Sequence, residues 1–76
     1  MTRLILGILR QVSEPTTTRD VTLHLLSERG LDVEDVKMFR VIRGRVATAL
    51  RGQRDKGIVR SVEGPGQYML WELVRV

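Results

Sequence analysis

Residues 54–73, RDKGIVRSVEGPGQYMLWEL, carry the passage from a helix into a β-hairpin. Gly57 follows a charged, helix-like segment and is the residue type that most often ends a helix. Residues 58–63 are rich in β-branched side chains, residues 64–66 form the turn Gly-Pro-Gly, and residues 67–74 read as the returning strand. Because a two-stranded hairpin is not stable alone in water, we expect its apolar side chains to pack on helices.

Upstream of the hairpin, the sequence predicts one long helix over residues 35–56. Its apolar residues recur in steps of three and four, beginning with Val36, Phe39, Ile42 and Val46. Gly44 and Gly52 interrupt this helix, and each weakens it by up to about 1 kcal/mol relative to alanine. A kink near Gly44, which would separate a short helix at 35–42, is therefore the alternative.

A first helix is predicted over residues 2–12, where the apolar side chains have helical spacing up to Val12. Pro15 ends this helix, because proline disfavours helical geometry in the residue before it. The three threonines that follow suit a very short extended segment.

A second helix is predicted over residues 18–29. Thr17 and Asp20 have the spacing of a capping box, and Gly30 is placed to end the helix in the left-handed conformation. His24 is the only histidine of the chain, and we expect it to be a half-buried structural side chain rather than a metal ligand.

The composition restricts the class of protein. The chain has 76 residues and no cysteine, so we expect a single domain, 1–76, without a disulfide framework or a zinc–thiolate site. No apolar run approaches the roughly 18 residues that span a membrane. One histidine and no thiol supply no acid–base pair, so we expect no enzyme, no catalytic or metal site, no cofactor and no small-molecule substrate. The expected location is the cytoplasm.

Positive charge is concentrated in residues 37–60. This segment holds eight lysines and arginines against one acid, a net charge of +7, whereas the remaining residues hold five basic and eight acidic side chains, a net charge of −3. A localised basic surface is the feature that attracts a phosphate backbone.

The predicted long helix has an apolar sector and a basic one. At about 100° per residue, its core-facing sector holds Phe39, Ile42, Val46, Ala49, Leu50 and Gln53. The opposite side holds the small residues Gly44, Ala47 and Thr48 among arginines. A helix that enters the major groove, about 12 Å wide, needs this shape, with arginine available for guanine edges or phosphates. The alternative interpretation is a solvated cationic face without a partner.

The order helix, short strand, helix, helix, hairpin resembles the winged helix-turn-helix family. The resemblance covers essentially the whole chain and rests on PTTTRDV at 15–21, VATALR at 46–51, RDKGIV at 54–59, GPG at 64–66 and WEL at 71–73. It implies a mainly α fold with a small β-hairpin (α+β), in which three helices carry a two- or three-stranded antiparallel wing.

The resemblance also implies a function, which is sequence-specific binding of double-stranded DNA by a small transcriptional regulator of bacterial or phage type. The third helix would enter the major groove and the wing would touch the adjacent backbone or minor groove. Carried over by position, the residues expected to contact DNA are Arg40, Arg43, Arg45, Thr48 and Arg51 on the third helix, Thr17, Thr18 and Arg19 at the start of the second, and Arg60 and Gln67 on the wing.

Several of these residues have structural alternatives. Thr17 is a helix cap in either case, and Arg60 can stack on Trp71 across the hairpin. The nearby Arg54 and Lys56 can complement the dipole at the C-terminal end of the third helix. The third helix is also longer than is usual in the family. It therefore either lies along DNA by its middle, near residues 44–51, or is broken there.

The sequence leaves two other functions open, binding of a protein and binding of RNA. A protein-binding module would use exposed apolar side chains such as Leu6, Val41, Tyr68 or Leu70. RNA binding would use the same positive charge, but the chain has only three aromatic residues, too few for a base-stacking platform.

Because one DNA-binding module touches few bases, we predict a homodimer on a two-fold site, formed through the first helix or the C-terminal strand.

Overall fold

The computed structural model describes residues 1–32, 34–66 and 68–74. Six elements follow one another along the chain: helix α1 (Thr2–Gln11), strand β1 (Thr16–Thr17), helix α2 (Thr18–Glu28), helix α3 (Val36–Asp55), strand β2 (Val59–Glu63) and strand β3 (Met69–Leu73). The strands form one antiparallel sheet in the order β1-β3-β2. The predicted fold class is confirmed: three helices carry a small antiparallel sheet, in a layout compatible with a winged helix.

Both ends of α2 are formed by the residues that the sequence predicted. The Thr17 hydroxyl accepts a hydrogen bond from the Asp20 N–H at 3.1 Å and so caps the first turn. At the other end Gly30 has φ +66°, a left-handed conformation that glycine adopts without steric cost. The Leu31 N–H then reaches back to the Leu26 carbonyl at 2.9 Å, as in a Schellman motif.

His24 is exposed, so the prediction that it is half-buried is wrong. The buried side chains of α2 are Val21, Thr22, Leu25 and Leu26. At about 100° per residue, His24 lies more than 100° from the middle of that buried face. His24 therefore points to solvent.

The third helix is continuous from Val36 to Asp55, so no separate short helix exists at 35–42. The Asp35 carboxylate accepts the Met38 N–H at 3.0 Å and caps its start. Gly57 ends it with φ +77°, and the Ile58 N–H reaches back to the Gln53 carbonyl at 2.9 Å. At 1.5 Å per residue this helix is about 30 Å long.

The core lies where the three helices meet one face of the sheet. Buried apolar side chains come from every helix and from both strands of the hairpin: Ile5, Ile8, Leu9, Val21, Leu25, Leu26, Val46, Leu50, Val59 and Trp71. In α3 the buried positions, Val46, Leu50 and Gln53, all belong to the second half of the helix. The first half is therefore held at the margin of the core.

The sheet register determines which surface residues become neighbours. Thr16 lies opposite Trp71 and Thr17 lies opposite Leu70, so α2, which follows β1 directly, begins beside the start of β3. In the hairpin, Arg60 lies opposite Glu72 and Ser61 lies opposite Trp71. Within the described residues, no helix combines the length and the apolar character needed to cross a membrane.

Candidate nucleic-acid interface

One exposed stripe runs along α3 on the side away from the core. We call it the outer stripe, and it consists of Arg40, Gly44, Thr48 and Arg51, all exposed. At about 100° per residue these positions lie within about 80° of one another, and they extend over about 17 Å of helix. The predicted separation of apolar and basic sectors is confirmed, since Val46 and Leu50 are fully buried on the opposite side.

The centre of the outer stripe is low, because its side chains are small, and it is open to solvent. A Cβ atom built on Gly44 would meet no neighbouring heavy atom within 4 Å, so no packing contact inside the protein calls for glycine there. The Thr48 hydroxyl donates to the Gly44 carbonyl at 3.0 Å and accepts a bond from Arg51 Nη2 at 3.5 Å. Arg51 is therefore held beside the centre of the stripe. Ala47, predicted on the exposed side with them, is half-buried at its edge.

Arg43 and Arg45 lie on opposite flanks of the stripe, because each is one residue and about 100° away from Gly44. Both side chains are exposed. Arg43 faces the start of α2, where it lines a cleft together with Thr17, Thr18 and Arg19. The arginines of α2 and α3 predicted to contact DNA therefore form two groups, one on the outer stripe and one at this cleft, with Arg45 on the far flank.

The cleft between α2, α3 and the hairpin has a volume of about 510 Å³. We call it the α2–wing cleft, and its lining consists of Thr17, Thr18, Arg19, Asp20, Arg43, Tyr68 and Met69. Tyr68 is 71% exposed and Met69 is 49% exposed. The sequence alone assigned Tyr68 to a protein partner and did not select Met69. The pairing of β1 with β3 brings Tyr68 and Met69 to the first turn of α2, and this pairing is what identifies them as members of the site.

On the wing, Arg60 forms an ion pair with Glu72, so the structural alternative in which Arg60 stacks on Trp71 is not the observed arrangement. Alternation along the strands explains this, because Arg60 and Glu72 lie opposite each other while Trp71 points to the other face. The cation over the Trp71 ring is Arg54, whose guanidinium carbon lies 5.6 Å from the ring centroid. Gln67, the second predicted wing contact, lies outside the described residues.

The apolar side chains predicted for a protein-binding surface divide into two pairs. Val41 is 55% exposed and Tyr68 is exposed, as that hypothesis requires. Leu6 is half-buried against the core, and Leu70 is half-buried with its Cγ about 3.0 Å from a Cβ position on Gly64. The exposure expected of Leu6 and Leu70 is therefore wrong.

The basic side chains of α3 form no ion pair in the part of the chain that the structure covers. Across residues 1–32, 34–66 and 68–74, the only ion pair joins Arg60 and Glu72. Arg40, Arg43, Arg45 and Arg51 consequently have no carboxylate within reach among those residues. The same residues contain no group of three histidine, aspartate or glutamate side chains that could hold a metal ion.

Comparison of the chain with models of known protein families, with curated proteins and with solved structures finds no match.

Proposed function

We propose that this chain binds double-stranded DNA sequence-specifically, as a small transcriptional regulator does. The outer stripe of α3 enters the major groove, and the hairpin lies on the adjacent backbone or minor groove. The observation that carries the proposal is the composition of the outer stripe, where Gly44 and Thr48 form a low centre between Arg40 and Arg51, neither of which is in an ion pair within the described residues.

The shape of the stripe suits a groove of limited width. The major groove is about 12 Å wide and admits one helix, so small side chains at the centre let the helix backbone come close to the base edges. Arginine at either end of the stripe can donate two hydrogen bonds to the O6 and N7 atoms of guanine or bind a phosphate. Arg51 is already directed along the stripe by its contact with Thr48.

The middle of α3, rather than its start, is the part that meets DNA. Asp35 caps the helix with a carboxylate, which would repel phosphate. Along the axis Asp35 lies about 14 Å from Gly44. This distance exceeds the Debye length of about 8 Å at physiological ionic strength, so the repulsion at the centre of the stripe is strongly screened.

A specific site requires more contacts than one outer stripe provides, so we infer that two copies bind a two-fold site. Of the two surfaces considered, α1 is favoured. Strand β3 is the central strand of the sheet and is bonded on both sides, whereas α1 leaves Leu4 exposed at its surface.

The experiment that tests the proposal is selection of bound sequences from a pool of random duplexes. We expect enrichment of one motif with two-fold symmetry. Binding to the selected duplex should also weaken steeply with salt, by a slope of about 0.9 in log K per log salt concentration for each phosphate contact. A pool that shows no enrichment, together with no binding of mixed duplex DNA at low salt, contradicts the proposal. RNA of the same sequence should compete poorly.

A winged-helix protein-binding module is the second candidate, and the exposure of Val41 is the observation that favours it. The two functions are separated by titrating the unaltered protein and Arg51→Ala with the selected duplex. Under the DNA proposal the unaltered protein binds and Arg51→Ala weakens binding. Absence of duplex binding by the unaltered protein favours the protein-binding module.

A further inference from the structure

We propose that the α2–wing cleft holds one sugar–phosphate unit of the DNA strand that borders the occupied major groove. The phosphate lies on Arg19 and Arg43, and the deoxyribose packs on Tyr68 and Met69. The inference rests on the proposed function, to which it adds a second binding site with its own residues and a sequence-independent role.

The fold brings the four side chains together from three elements. Strand β1 leads directly into α2, and Thr17 lies opposite Leu70 in the sheet. The residues that follow Thr17 are therefore neighbours of those that precede Leu70 in the chain. Helix α3 closes the third side of the cleft with Arg43. The cleft thus adjoins the flank of the helix whose outer stripe faces the base pairs.

The charge of the cleft suits one phosphodiester. Arg19 and Arg43 contribute two positive charges and Asp20 one negative charge, which leaves one positive charge for one phosphate. Neither arginine has a carboxylate partner in the described residues, where the only ion pair is on the wing. The site does not depend on the end of α2, because the Asp20 N–H is already bonded to the Thr17 hydroxyl.

Packing of the core does not account for the apolar side chains of the cleft. Tyr68 and Met69 are 71% and 49% exposed, and neither belongs to the core. An aromatic ring and a thioether beside two guanidinium groups provide apolar contact area next to positive charge. A nucleotide backbone has the matching arrangement, since each charged phosphate is joined to a sugar whose carbon atoms are apolar.

The test compares Tyr68→Ala, Tyr68→Phe and Arg19→Gln with the unaltered protein on the selected duplex and on a scrambled duplex. We expect Tyr68→Ala to weaken both affinities by roughly fivefold, the effect of losing about 1 kcal/mol of partial aromatic burial. The salt slope should stay unchanged for this variant. Tyr68→Phe keeps the ring and should bind as the unaltered protein does. Arg19→Gln should reduce the salt slope by about one phosphate contact.

Two outcomes would overturn the inference while the proposed function stands: Tyr68→Ala binds both duplexes as tightly as the unaltered protein, or its loss is confined to the selected duplex. Arg51→Ala serves as the independent readout of the proposed function, since it should reduce discrimination whatever happens at the cleft. If the unaltered protein binds no duplex, the proposed function itself fails. Circular dichroism and urea midpoints confirm that each variant is folded, which the exposure of Tyr68 leads us to expect.

Discussion

The indole Nε1 of Trp71 donates a hydrogen bond to Oγ1 of Thr18 over 2.9 Å, joining residues that are 53 positions apart in the chain. Trp71 is 3% exposed and lies in the central strand, while Thr18 is the first residue of α2. Arg54, near the end of α3, lies over the same ring. A single side chain therefore joins the sheet to the start of one helix and the end of another, and its partner Thr18 lines the α2–wing cleft.

We predict that Thr18→Ala destabilises the protein by about 1–3 kcal/mol, because the indole N–H would be left buried without an acceptor. Thr18→Ser is the matched control, since it keeps the hydroxyl group. Trp71 is the only tryptophan, so urea unfolding followed by its fluorescence measures the free energy of unfolding directly. Equal stability of the alanine and serine variants would show that the hydrogen bond is not needed.

The boundaries of the elements were predictable from the sequence because they are set by local chemistry. Thr17 caps a helix with a residue three positions away, and Gly30 and Gly57 end helices through their own backbone conformation. The contacts of Trp71 were not predictable. They depend on the sheet register, and the stacked cation turned out to be Arg54 rather than Arg60. His24 was misassigned although a helical wheel places it opposite the buried face.

The same distinction applies to the candidate site. The outer stripe lies within one helix, so periodicity alone was enough to place Gly44 and Thr48 among exposed arginines. The α2–wing cleft combines residues from three elements that are far apart in the chain. The sequence predicts a DNA contact for Arg19 and a protein-binding surface for Tyr68. Only the pairing of β1 with β3 shows that the two residues are neighbours.

We predict that Gly44→Ala raises stability and lowers DNA affinity at the same time. Alanine favours a helix interior over glycine by about 1 kcal/mol, and the added Cβ meets no atom of the protein within 4 Å. In the groove the same methyl group occupies the low centre of the outer stripe and holds the helix away from the base edges. Thermal unfolding and titration of the selected duplex measure the two effects separately.

Gly7→Ala in α1 is the matched control for this substitution, because its added Cβ also meets no neighbour within 4 Å. Since α1 is also the inferred dimer surface, sedimentation of both variants checks that dimerisation is unaltered. We then expect Gly7→Ala to stabilise the protein similarly without changing DNA affinity. If Gly44→Ala binds the selected duplex as tightly as Gly7→Ala does, the centre of the outer stripe does not approach DNA closely.

We predict that Arg51→Ala lowers discrimination between the selected and scrambled duplexes. One bidentate contact from arginine to guanine contributes about 1–3 kcal/mol of discrimination, so the affinity ratio should fall at least about fivefold. Arg10→Ala, which removes an exposed arginine from α1, is the control and should leave the ratio unchanged. Parallel titrations of both duplexes at one salt concentration give the ratio. An unchanged ratio for Arg51→Ala would contradict base reading by the outer stripe.

We predict that Glu72→Gln strengthens DNA binding with little effect on stability. The ion pair between Arg60 and Glu72 is at the surface, where such pairs contribute up to about 1 kcal/mol. Its removal releases Arg60 on the wing for a phosphate, so the salt slope should rise by about one contact. Glu28→Gln makes the same change in net charge at the end of α2, away from Arg60, and separates this effect from a general increase in positive charge. Equal gains in affinity from the two variants would mean that Arg60 makes no contact with DNA, whereas a gain confined to Glu72→Gln places the wing on the backbone.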